Sequence, residues 1–559
     1  MLFSRHRGGP RYDAIEPDEI LIDAANLPAY DTSRLEGRIE QPFHVTTFNR
    51  FFIFLAALVL VFVGRLIWLQ ILNYESLAGR AEANRLNQSI VIAERGLITD
   101  RNGVALAENV PGTEPELTKR MYPLGPAAAQ LVGYVSYPKK DANGHWFQNT
   151  TTGISGVEEE FNTTLQGTNG IKISETDASG SIVSGSVVRD PHTGKNVALS
   201  IDSGLQQTLY DAIAHRSETS GWRGGAGAIM DIHTGELLAL VSYPSFDPTV
   251  MSEGSPQEQI AGYLADARSP FLDRAVSGVY TPGSVVKPFV AIAALEEDII
   301  NPDKKILSTG SISIPNPYDQ KHPTIFRDWK AHGWVDMREA IAVSSDVYFY
   351  EVGGGFEDQR GLGITRIEEY MKKFGFGAPT NVALPNEGDG VIPSPEWKAA
   401  NFDGDPWVLG DTYHTAIGQY GFQTTLLQLV RGVAAIANGG TLVTPRIIHG
   451  AGREEYPTNM SPDNLQIVRE GMRKGVTGGT AQALSVYGLS VAAKTGTAEV
   501  GVRKESANSL VIGFFPYENP HYAFAVVMER AKAGTPEGAP SVMRGILEWI
   551  VANKPELAG

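Results

Sequence analysis

The 559-residue chain contains no cysteine, so neither disulfide bonds nor thiolate metal sites are possible. Basic residues are also in short supply, because 47 lysines and arginines stand against 63 acidic residues and give a net charge of −16. Nucleic-acid phosphates need a basic surface, so this balance argues against nucleic acid as a partner. We find no internal repeat and no low-complexity tract. The hydrophobic content of 42% is ordinary for globular protein, and the length predicts more than one domain.

Long apolar runs are equally scarce, and one stands out at residues 51–72, FFIFLAALVLVFVGRLIWLQIL. As a helix, this run spans about 33 Å, enough for a hydrocarbon core of about 30 Å. Arg65 lies in its second half, where its stem can extend to the interface, and Trp68 suits that depth. The 50 preceding residues are too long for the n-region of a signal peptide. We therefore predict a transmembrane helix, with a buried helix of a soluble protein as the alternative.

The chain segments before and after this helix differ in composition and periodicity. Residues 1–50 are polar, contain prolines and lack sustained periodicity, so we predict a disordered tail. Residues 73–196 combine short strand-like pieces with many turns, which indicates a small irregular domain. Within them, RGLITDRNG at 95–103 ends in Asn-Gly and predicts a hairpin.

From Val197 onward, regular elements are predicted at both ends of the remaining chain. A strand at 197–201 and a helix at 206–214 precede a hairpin of two strands, 227–232 and 237–242. Strands near 492–497, 510–515 and 524–528 and a helix at 542–551 close the chain. Because strands lie at both ends with helices between them, we predict one sheet built from the chain extremes with a helical insertion.

A turn followed by a short apolar helix is predicted at 280–295. The residues YTPG at 280–283 favour a turn, and residues 285–295 are mostly small or apolar, which indicates a buried helix. Its first turn carries Ser284 and Lys287, which share one face because they are three residues apart. A serine becomes a good nucleophile when a base takes its proton, and a desolvated lysine can be that base. Ser284 is therefore the candidate nucleophile, with Lys287 in reach of its hydroxyl.

The S-x-x-K spacing is weak evidence by itself, since a chain of this length holds roughly two such matches by chance. The second match, SYPK at 136–139, carries a proline that argues against a helix. Two further motifs follow the first: S-x-D at Ser344 and Asp346, and K-T-G starting at Lys494 on a predicted strand. S-x-[DN] recurs elsewhere, whereas K-[ST]-G occurs once. The order S-x-x-K, S-x-[DN], K-T-G is that of β-lactamases and penicillin-binding proteins.

With these motifs, the chain resembles a class B penicillin-binding protein, a peptidoglycan D,D-transpeptidase. The resemblance runs from the apolar helix to the C-terminus and includes RGLITDRNG at 95–103, GISGVE at 153–158, IDSGLQ at 201–206, AIMDIHTGELLALVSYP at 228–244, IGQ at 417–419, ANGG at 437–440 and IGF at 512–514. The run SSDVYFY at 344–350 is more similar to the elongation-type branch, penicillin-binding protein 2, than to the division type, where asparagine is usual.

The resemblance implies the penicillin-binding transpeptidase fold, an α/β (α+β) architecture with an antiparallel sheet flanked by helices and a helical subdomain. It divides the chain into a cytoplasmic tail at 1–50, a transmembrane helix at 51–72, a small α+β pedestal or dimerisation-like domain at 73–196 and a transpeptidase domain at 197–559. The head subdomain that the family usually carries between Asn109 and Gly153 is reduced here to about forty residues. Partner contacts made by that head therefore do not transfer to this chain.

Carried onto this sequence, the resemblance implies an acyl-enzyme mechanism. Ser284 attacks the carbonyl between the two terminal D-alanines of a stem peptide, and Lys287 takes its proton. Lys287 must then be neutral part of the time, which burial and the nearby Lys494 cation are expected to favour. Backbone N–H groups of Ser284 and Thr497 form the oxyanion hole. Ser344, within reach of both lysines, relays a proton to the departing D-alanine.

The carboxylate of that D-alanine is implied to lie against the K-T-G strand, held by the side chains of Lys494, Thr495 and Thr497, with Gly496 between the two threonines. Asp346 is less defined, because a carboxylate only accepts hydrogen bonds unless it is protonated, whereas a carboxamide there would bind the substrate backbone. A shifted frame, Ser345-Asp346-Val347, matches the S-x-V pattern of another branch. We prefer Ser344 because the adjoining aromatic run matches the transpeptidases.

No cofactor is expected. Some elongation-type members bind zinc near the S-x-D motif through a set that includes cysteine, which this chain lacks. Asp328 and His332 are nearby in sequence, but we expect no metal site.

The expected partners are stem peptides on lipid II-derived glycan, the membrane, β-lactams as covalent inhibitors, and a SEDS polymerase of the RodA or FtsW kind. The resemblance places the chain in the inner membrane as a single-pass protein with its catalytic domain in the periplasm. Two alternatives share the acylation chemistry: a D,D-carboxypeptidase or β-lactamase, for which we find no E-x-x-L-N stretch, and a β-lactam sensor, for which no output module is evident.

Overall fold

The computed structural model describes residues 45–78, 86–112, 117–142, 146–176, 182–316, 319, 321–501 and 505–558. The chain divides into two compact units, residues 1–87 with 177–179 and residues 88–176 with 180–559. The predicted tail lies outside the described residues as far as residue 44. The boundaries predicted between residues 72 and 73 and between residues 196 and 197 remain predictions.

The first unit contains one long apolar helix, Val45–Ile67, which continues as a π-helical segment, Trp68–Leu72. It begins at Val45 rather than at residue 51, so the prediction of a disordered tail was wrong for residues 45–50. The reason is that Val45 and Phe48 extend the apolar pattern beyond Arg50. Within the described residues, Val45–Leu72 is the one helix long and apolar enough to cross a membrane. The guanidinium of Arg65 lies 4.2 Å from the ring centre of Trp68, a cation–π contact suited to an interface.

The second unit is built on an antiparallel sheet of five strands in the order β2–β1–β5–β4–β3. The strands are β1 (Gly224–Asp231), β2 (Leu237–Tyr243), β3 (Ala492–Val500), β4 (Ser506–Phe515) and β5 (Tyr522–Lys532). The predicted hairpin is confirmed, because β1 pairs antiparallel with β2, with one register shift between Ile229 and Met230. The predicted sheet from both chain extremes is also confirmed, since β1 pairs with β5. The strand β3, which carries the K-T-G motif, is an outer strand.

The helices that matter for the site are α1 (Ser203–Ser220), α2 (Lys287–Glu296), α3 (Met337–Val343), α4 (Asp346–Gly354), α5 (Leu426–Ala437), α6 (Pro462–Gly478) and α7 (Ala539–Asn553). Side chains alternate between the two sheet faces along each strand. Ile229 and Val526 belong to a core with α1 and α7, whereas Ala228 belongs to a core with α2 and α5. The K-T-G strand is thus held by a sheet that is packed on both faces.

The other helical segments of this region are Pro248–Glu253, Gln257–Ala265, Gly283–Val286, Ile364–Lys373, Pro395–Asn401, Leu409–Ala416, Gln482–Leu484 and Pro555–Ala558. Four small antiparallel strand pairs complete it: Val279–Tyr280 with Thr424–Thr425, Ile306–Ser308 with Gly333–Val335, Ser311–Ile314 with Thr324–Arg327, and Thr441–Val443 with Glu455–Pro457.

Before α1, the chain forms small sheets and short helices. The strands pair as Leu86–Val91, Gly170–Thr176 and Ile182–Arg189; as Val197–Ala198, Ile98–Thr99, Ala105–Pro111 and Thr118–Met121; and as Val135–Ser136 with Thr152–Gly153 and Lys139–Lys140 with Trp146–Gln148. The helices are Gly125–Ala127, Ala129–Val132, Gly156–Glu160 and Asn162–Leu165. The hairpin predicted at 95–103 is confirmed, since Ile98 pairs with Ala107. The S-x-x-K match at 136–139 is not helical, as its proline predicted.

A buried ion-pair triad explains two of the sequence stretches in this region. Glu158 accepts from Arg95 Nε at 2.5 Å and from Arg120 Nε at 2.8 Å, and all three side chains are almost fully buried. Arg95 also donates to the carbonyls of Thr151 and Glu158. RGLITDRNG and GISGVE are therefore joined through Arg95 and Glu158, which gives these stretches a structural role.

We expect Glu158→Gln to destabilise the protein by about 3–5 kcal/mol, because the change leaves two buried guanidinium groups without a counter-charge. Glu159→Gln is the matched control, since Glu159 is exposed on the same helix and its change is expected to stay within about 0.5 kcal/mol. Urea unfolding followed by tryptophan fluorescence measures both. Equal stability of the two variants would contradict a supporting role for the triad.

Candidate active site

Ser284 lies in a 3₁₀ turn, Gly283–Val286, immediately before α2 begins at Lys287. The predicted turn and helix are thus present, with the first turn tighter than an α-helix. Gly283 has a φ of +54° and its amide donates to Gly418 O at 2.9 Å. A Cβ at Gly283 would lie 2.6 Å from Thr497 O, so glycine permits the turn that carries Ser284 to approach β3.

Lys287 is fully buried beneath this turn. Its ammonium donates to Ser344 O at 2.8 Å, to Ser344 Oγ at 3.3 Å and to Asp346 Oδ1 at 2.6 Å. Among the described residues, the hydrogen bonds of Lys287 Nζ go to the S-x-D motif and not to Ser284. The predicted direct contact between Lys287 and the Ser284 hydroxyl is therefore not formed as a hydrogen bond, because the Asp346 carboxylate and the Ser344 carbonyl draw the ammonium toward themselves.

Ser344 occupies the C-terminal cap of α3 in a left-handed conformation, with φ +61° and ψ +42°. Such a conformation is uncommon for a residue with a Cβ and is found where the surrounding structure enforces it. It turns both polar groups of Ser344 toward the lysines. Lys494 Nζ lies 2.8 Å from Ser344 Oγ, so the hydroxyl stands between the two amines. This is the arrangement that the resemblance implied for Ser344.

Lys494 extends from β3 into the same buried region. Burial lowers the pKa of its ammonium well below the usual range, and the neighbouring Lys287 cation lowers it further, while Asp346 opposes the change. Lys287, in contrast, is ion-paired with Asp346. Burial thus acts against the charge on Lys494, while Lys287 holds its amine against the Asp346 carboxylate, and the role of each lysine in proton transfer remains a prediction.

We expect Asp346→Asn to move the rising limb of the pH profile for acylation to lower pH. The Asp346 carboxylate favours the charged form of Lys494, so its removal lowers the Lys494 pKa further, and a neutral amine becomes available at lower pH. The rate of penicillin acylation measured from pH 5 to 9 tests this. A limb that moves to higher pH, or stays in place, would show that Asp346 does not control the charge of the lysines.

The frame of the S-x-D motif is clear from where the two serines point. Ser345 is fully buried, caps α4 by accepting from Tyr348 N and donates to Asp328 Oδ2 at 2.8 Å. Burial opposes the charge on Asp328, but hydrogen bonds from Val347 N and Ser345 outweigh it and lower the pKa of this carboxyl. Ser345 is thus engaged away from the lysines, whereas Ser344 faces them. The geometry favours the frame that begins at Ser344.

Thr495, Gly496 and Thr497 follow Lys494 along the outer strand β3. A Cβ at Gly496 would lie 2.8 Å from Pro282 O, so this glycine is needed for the close approach of the Ser284 turn. Thr497 is exposed, and Thr495 Oγ1 donates to Thr480 Oγ1 at 2.7 Å.

Thr480 belongs to no motif recognised in the sequence. Its amide donates to Ala342 O, two residues before Ser344, so Thr480 joins the K-T-G strand to the S-x-D helix. The adjacent pair Gly478-Gly479 at the end of α6 was the available signal, because glycines end helices and allow close contacts.

These groups line one cleft of about 580 Å³. Its lining includes Ser284, Ser344, Asp346 and residues 495–497 from the predicted set, together with Thr480, Trp222 and Trp329, which sequence reasoning did not identify. Lys287 and Lys494 lie buried beneath its floor. The cleft therefore holds an accessible hydroxyl at Ser284 beside a proton-transfer network made of two amines and a second hydroxyl.

Asp328 and His332 do lie together, with Nε2 3.4 Å from Oδ1. Burial lowers the pKa of His332 although Asp328 opposes this. Within the described part of the chain, no group of three or more histidine, cysteine, aspartate or glutamate side chains is arranged to hold a metal ion. The expectation of a metal-free site remains a prediction.

Comparison with known proteins adds independent information. The family profile described as penicillin binding protein transpeptidase domain matches residues 225–548. That stretch is more than half of the chain and contains every candidate site residue. The chain belongs to the penicillin-binding protein transpeptidases. A second profile, the penicillin-binding protein dimerisation domain, matches residues 113–199. The resemblance to class B proteins stated from the sequence is thereby confirmed.

Relatives place the chain near the penicillin-binding protein 2 branch. The peptidoglycan D,D-transpeptidase MrdA of Acinetobacter baumannii is 30% identical, and the match covers 89% of this chain and 86% of the relative. MrdA of Escherichia coli K12 is 30% identical over 79% of this chain and 72% of the relative. The solved structure of Pseudomonas aeruginosa PBP2 in complex with WCK 5153 is 30% identical, covers 85% of this chain and 98% of that chain, and gives a TM-score of 0.69. The predicted transpeptidase fold is confirmed.

Proposed function

We propose that this penicillin-binding protein is a peptidoglycan D,D-transpeptidase of cell elongation. The observation that carries the proposal is the Ser344 hydroxyl held between the side-chain nitrogens of Lys494 and Lys287, at 2.8 and 3.3 Å, in the cleft that Ser284 lines. Such an arrangement can move a proton from one hydroxyl to a leaving group, which acyl transfer requires. The MrdA relatives are named for this activity.

In the proposed reaction, Ser284 Oγ attacks the carbonyl carbon between the two terminal D-alanines and loses its proton to the neutral form of Lys287. The backbone amides of Ser284 and Thr497 donate to the developing oxyanion, where loss of one donor typically costs about 10²–10³ in rate. Ser344 passes the proton to the nitrogen of the departing D-alanine, whose carboxylate binds at Lys494, Thr495 and Thr497. An amine of a neighbouring stem peptide then attacks the Ser284 ester, forms the cross-link and releases the serine.

The proposed location is the inner membrane, with Val45–Leu72 as a single-pass anchor and the catalytic domain in the periplasm. A SEDS polymerase of the RodA or FtsW kind is the proposed source of glycan strands, in contact with residues 51–72 and 73–196. The outer strand Ile182–Arg189 supports such a contact, because all its residues are exposed and four of them are β-branched apolar residues: Ile182, Val183, Val187 and Val188.

The experiment that tests the proposal supplies the full-length protein in detergent with uncross-linked glycan that carries pentapeptides. Release of D-alanine with a matching amount of cross-linked dimer is the expected result, and penicillin should abolish both. Release of D-alanine without dimer would indicate a carboxypeptidase instead. Rapid turnover of penicillin itself would indicate a β-lactamase.

A further inference from the structure

One cation in the candidate active-site cleft has no role in the chemistry proposed above. Lys532 lies at the end of β5 and lines the cleft that Ser284 and Thr497 also line. It is exposed, unlike Lys287 and Lys494. Among the described residues that line the cleft, Lys532 is the one lysine or arginine, and Asp346 is the one acid. Because Asp346 is paired with Lys287, the Lys532 ammonium faces the cleft without a counter-charge from its lining.

The surrounding structure fixes Lys532 at this place rather than leaving it on a free end. Its carbonyl accepts from Thr535 N at 3.1 Å and from Thr535 Oγ1 at 2.8 Å, which closes a turn directly after the strand. The next residue, Ala533, donates to Glu505 O at 3.1 Å. Nearby acids have other partners: Glu529 pairs with Arg274 at 2.6 Å, and Glu537 pairs with Arg216. The carboxylates of the described residues thus leave the Lys532 ammonium unpaired.

The sheet register gives the direction in which Lys532 lies from the reacting bond. Thr497 pairs with Ser509, Val500 pairs with Ser506, and Ser506 pairs with Lys532. Lys532 is therefore about 10 Å further along the strand direction than Thr497, at about 3.3 Å per residue, and two strands across the sheet. In the proposed reaction the terminal carboxylate binds at Lys494, Thr495 and Thr497, which precede Val500 along β3. The part of the substrate that precedes the scissile bond must then extend from Thr497 toward Val500 and Lys532.

With the two strands across the sheet, at about 4.8 Å each, the Cα atoms of Thr497 and Lys532 are about 14 Å apart, and an extended peptide of three residues spans this together with the lysine side chain. A stem peptide carries free carboxylates in this upstream part, on the γ-linked D-glutamate and, in the diaminopimelate type, on the third residue. A carboxylate is the chemical group that an unpaired ammonium attracts in a chain of net charge −16.

Resting on the proposed function, we propose that Lys532 is a specificity-determining residue that binds a free carboxylate of the donor stem peptide upstream of its D-alanyl-D-alanine end. Lys532 takes no part in bond making. It selects donors whose upstream carboxylate is free over donors in which that group is amidated, and it acts mainly on the binding of the donor.

The test uses the full-length protein and four synthetic pentapeptides ending in D-alanyl-D-alanine, in which the D-glutamate carboxylate, the second diaminopimelate carboxylate, both or neither are amidated. D-alanine release, measured with a stem peptide present that supplies the acceptor amine, gives kcat and KM for the wild type, Lys532→Met, Lys532→Arg and Lys372→Met. Lys372 is an exposed lysine on the helix Ile364–Lys373, outside the cleft, and serves as the control. We expect Lys532→Met to raise KM about fivefold for the donor with both carboxylates free, the scale of an exposed ion pair, while Lys532→Arg stays near wild type.

The amidated donors identify the carboxylate. The peptide in which the bound carboxylate is amidated should give the same KM with the wild type and with Lys532→Met. The peptide in which only the other carboxylate is amidated should still give a higher KM with Lys532→Met. An equal rise in KM with the fully amidated donor would overturn the inference, because Lys532→Met would then act through the fold and not through a carboxylate of the donor. No effect on any donor would overturn it as well. If the wild type releases D-alanine from none of the four, the proposed function itself fails.

Discussion

Ser284→Ala is expected to lose covalent labelling by a fluorescent penicillin completely, because the acyl-enzyme cannot form without the hydroxyl. Ser284 lines the cleft at the turn before α2 and is half-buried. Its side chain makes no hydrogen bond to another described residue, so alanine should leave the fold intact. Ser136→Ala is the matched control, because Ser136 belongs to the other S-x-x-K match but lies in a short strand. This variant should label at the wild-type rate.

The labelling is followed by in-gel fluorescence at several times of incubation, and the thermal unfolding of each variant is compared with that of the wild type. A Ser284→Ala protein that melts normally and still labels would place the nucleophile elsewhere. Loss of label in Ser136→Ala with an unchanged melting temperature would do the same.

Lys287→Met is expected to slow acylation by about 10²–10⁴, the range that general acid–base groups contribute. The change removes one of the two amines that face Ser344, and it leaves the Asp346 carboxylate without its partner. The double variant Lys287→Met/Asp346→Asn removes that second effect, because the asparagine carries no charge that needs pairing. Stopped-flow measurement of the acylation rate should find both variants similarly slow.

Lys398→Met provides the matched control. Lys398 is also buried and also paired with an aspartate, with Nζ 2.7 Å from Asp411 Oδ2, but it does not line the cleft. Its loss should lower stability and leave acylation of the folded protein close to wild type. Lys287→Arg distinguishes a base from a cation, since a guanidinium stays protonated. Near-normal acylation by a folded Lys287→Arg protein would contradict the base role.

The sequence predicted the sheet well because its strands are apolar on both faces and end in strong turn signals. The hairpin around His233-Thr234-Gly235 and the strands near 510–515 and 524–528 are where the patterns placed them, although each strand is longer than predicted. Strand ends were missed because residues such as Ser506 and Lys532 are polar, yet the neighbouring strands hold them in register. Tertiary pairing outweighs local preference at such positions.

Only the site residues that belong to sequence motifs could be predicted. S-x-x-K, S-x-D and K-T-G lead to the same cleft. The left-handed backbone of Ser344 and its place between two amines depend on α3, α4 and β3 meeting, which no local pattern encodes. The Lys287–Asp346 ion pair was not visible in the sequence, because no local pattern brings these two residues together. Thr480 and Lys532 belong to no recognised motif, and only the folded chain brings them into the cleft.

The proposed function requires that Ser284 is the residue acylated. Mass-spectrometric mapping of the wild-type protein after penicillin treatment identifies the acylated residue. Trypsin is expected to yield residues 275–304 as one peptide, because the bond after Lys287 precedes a proline. This peptide contains two serines, Ser277 and Ser284, so fragmentation must separate them. We expect one penicilloyl group, on Ser284. A penicilloyl group on Ser277, or on Ser344 in the peptide 339–360, would contradict it.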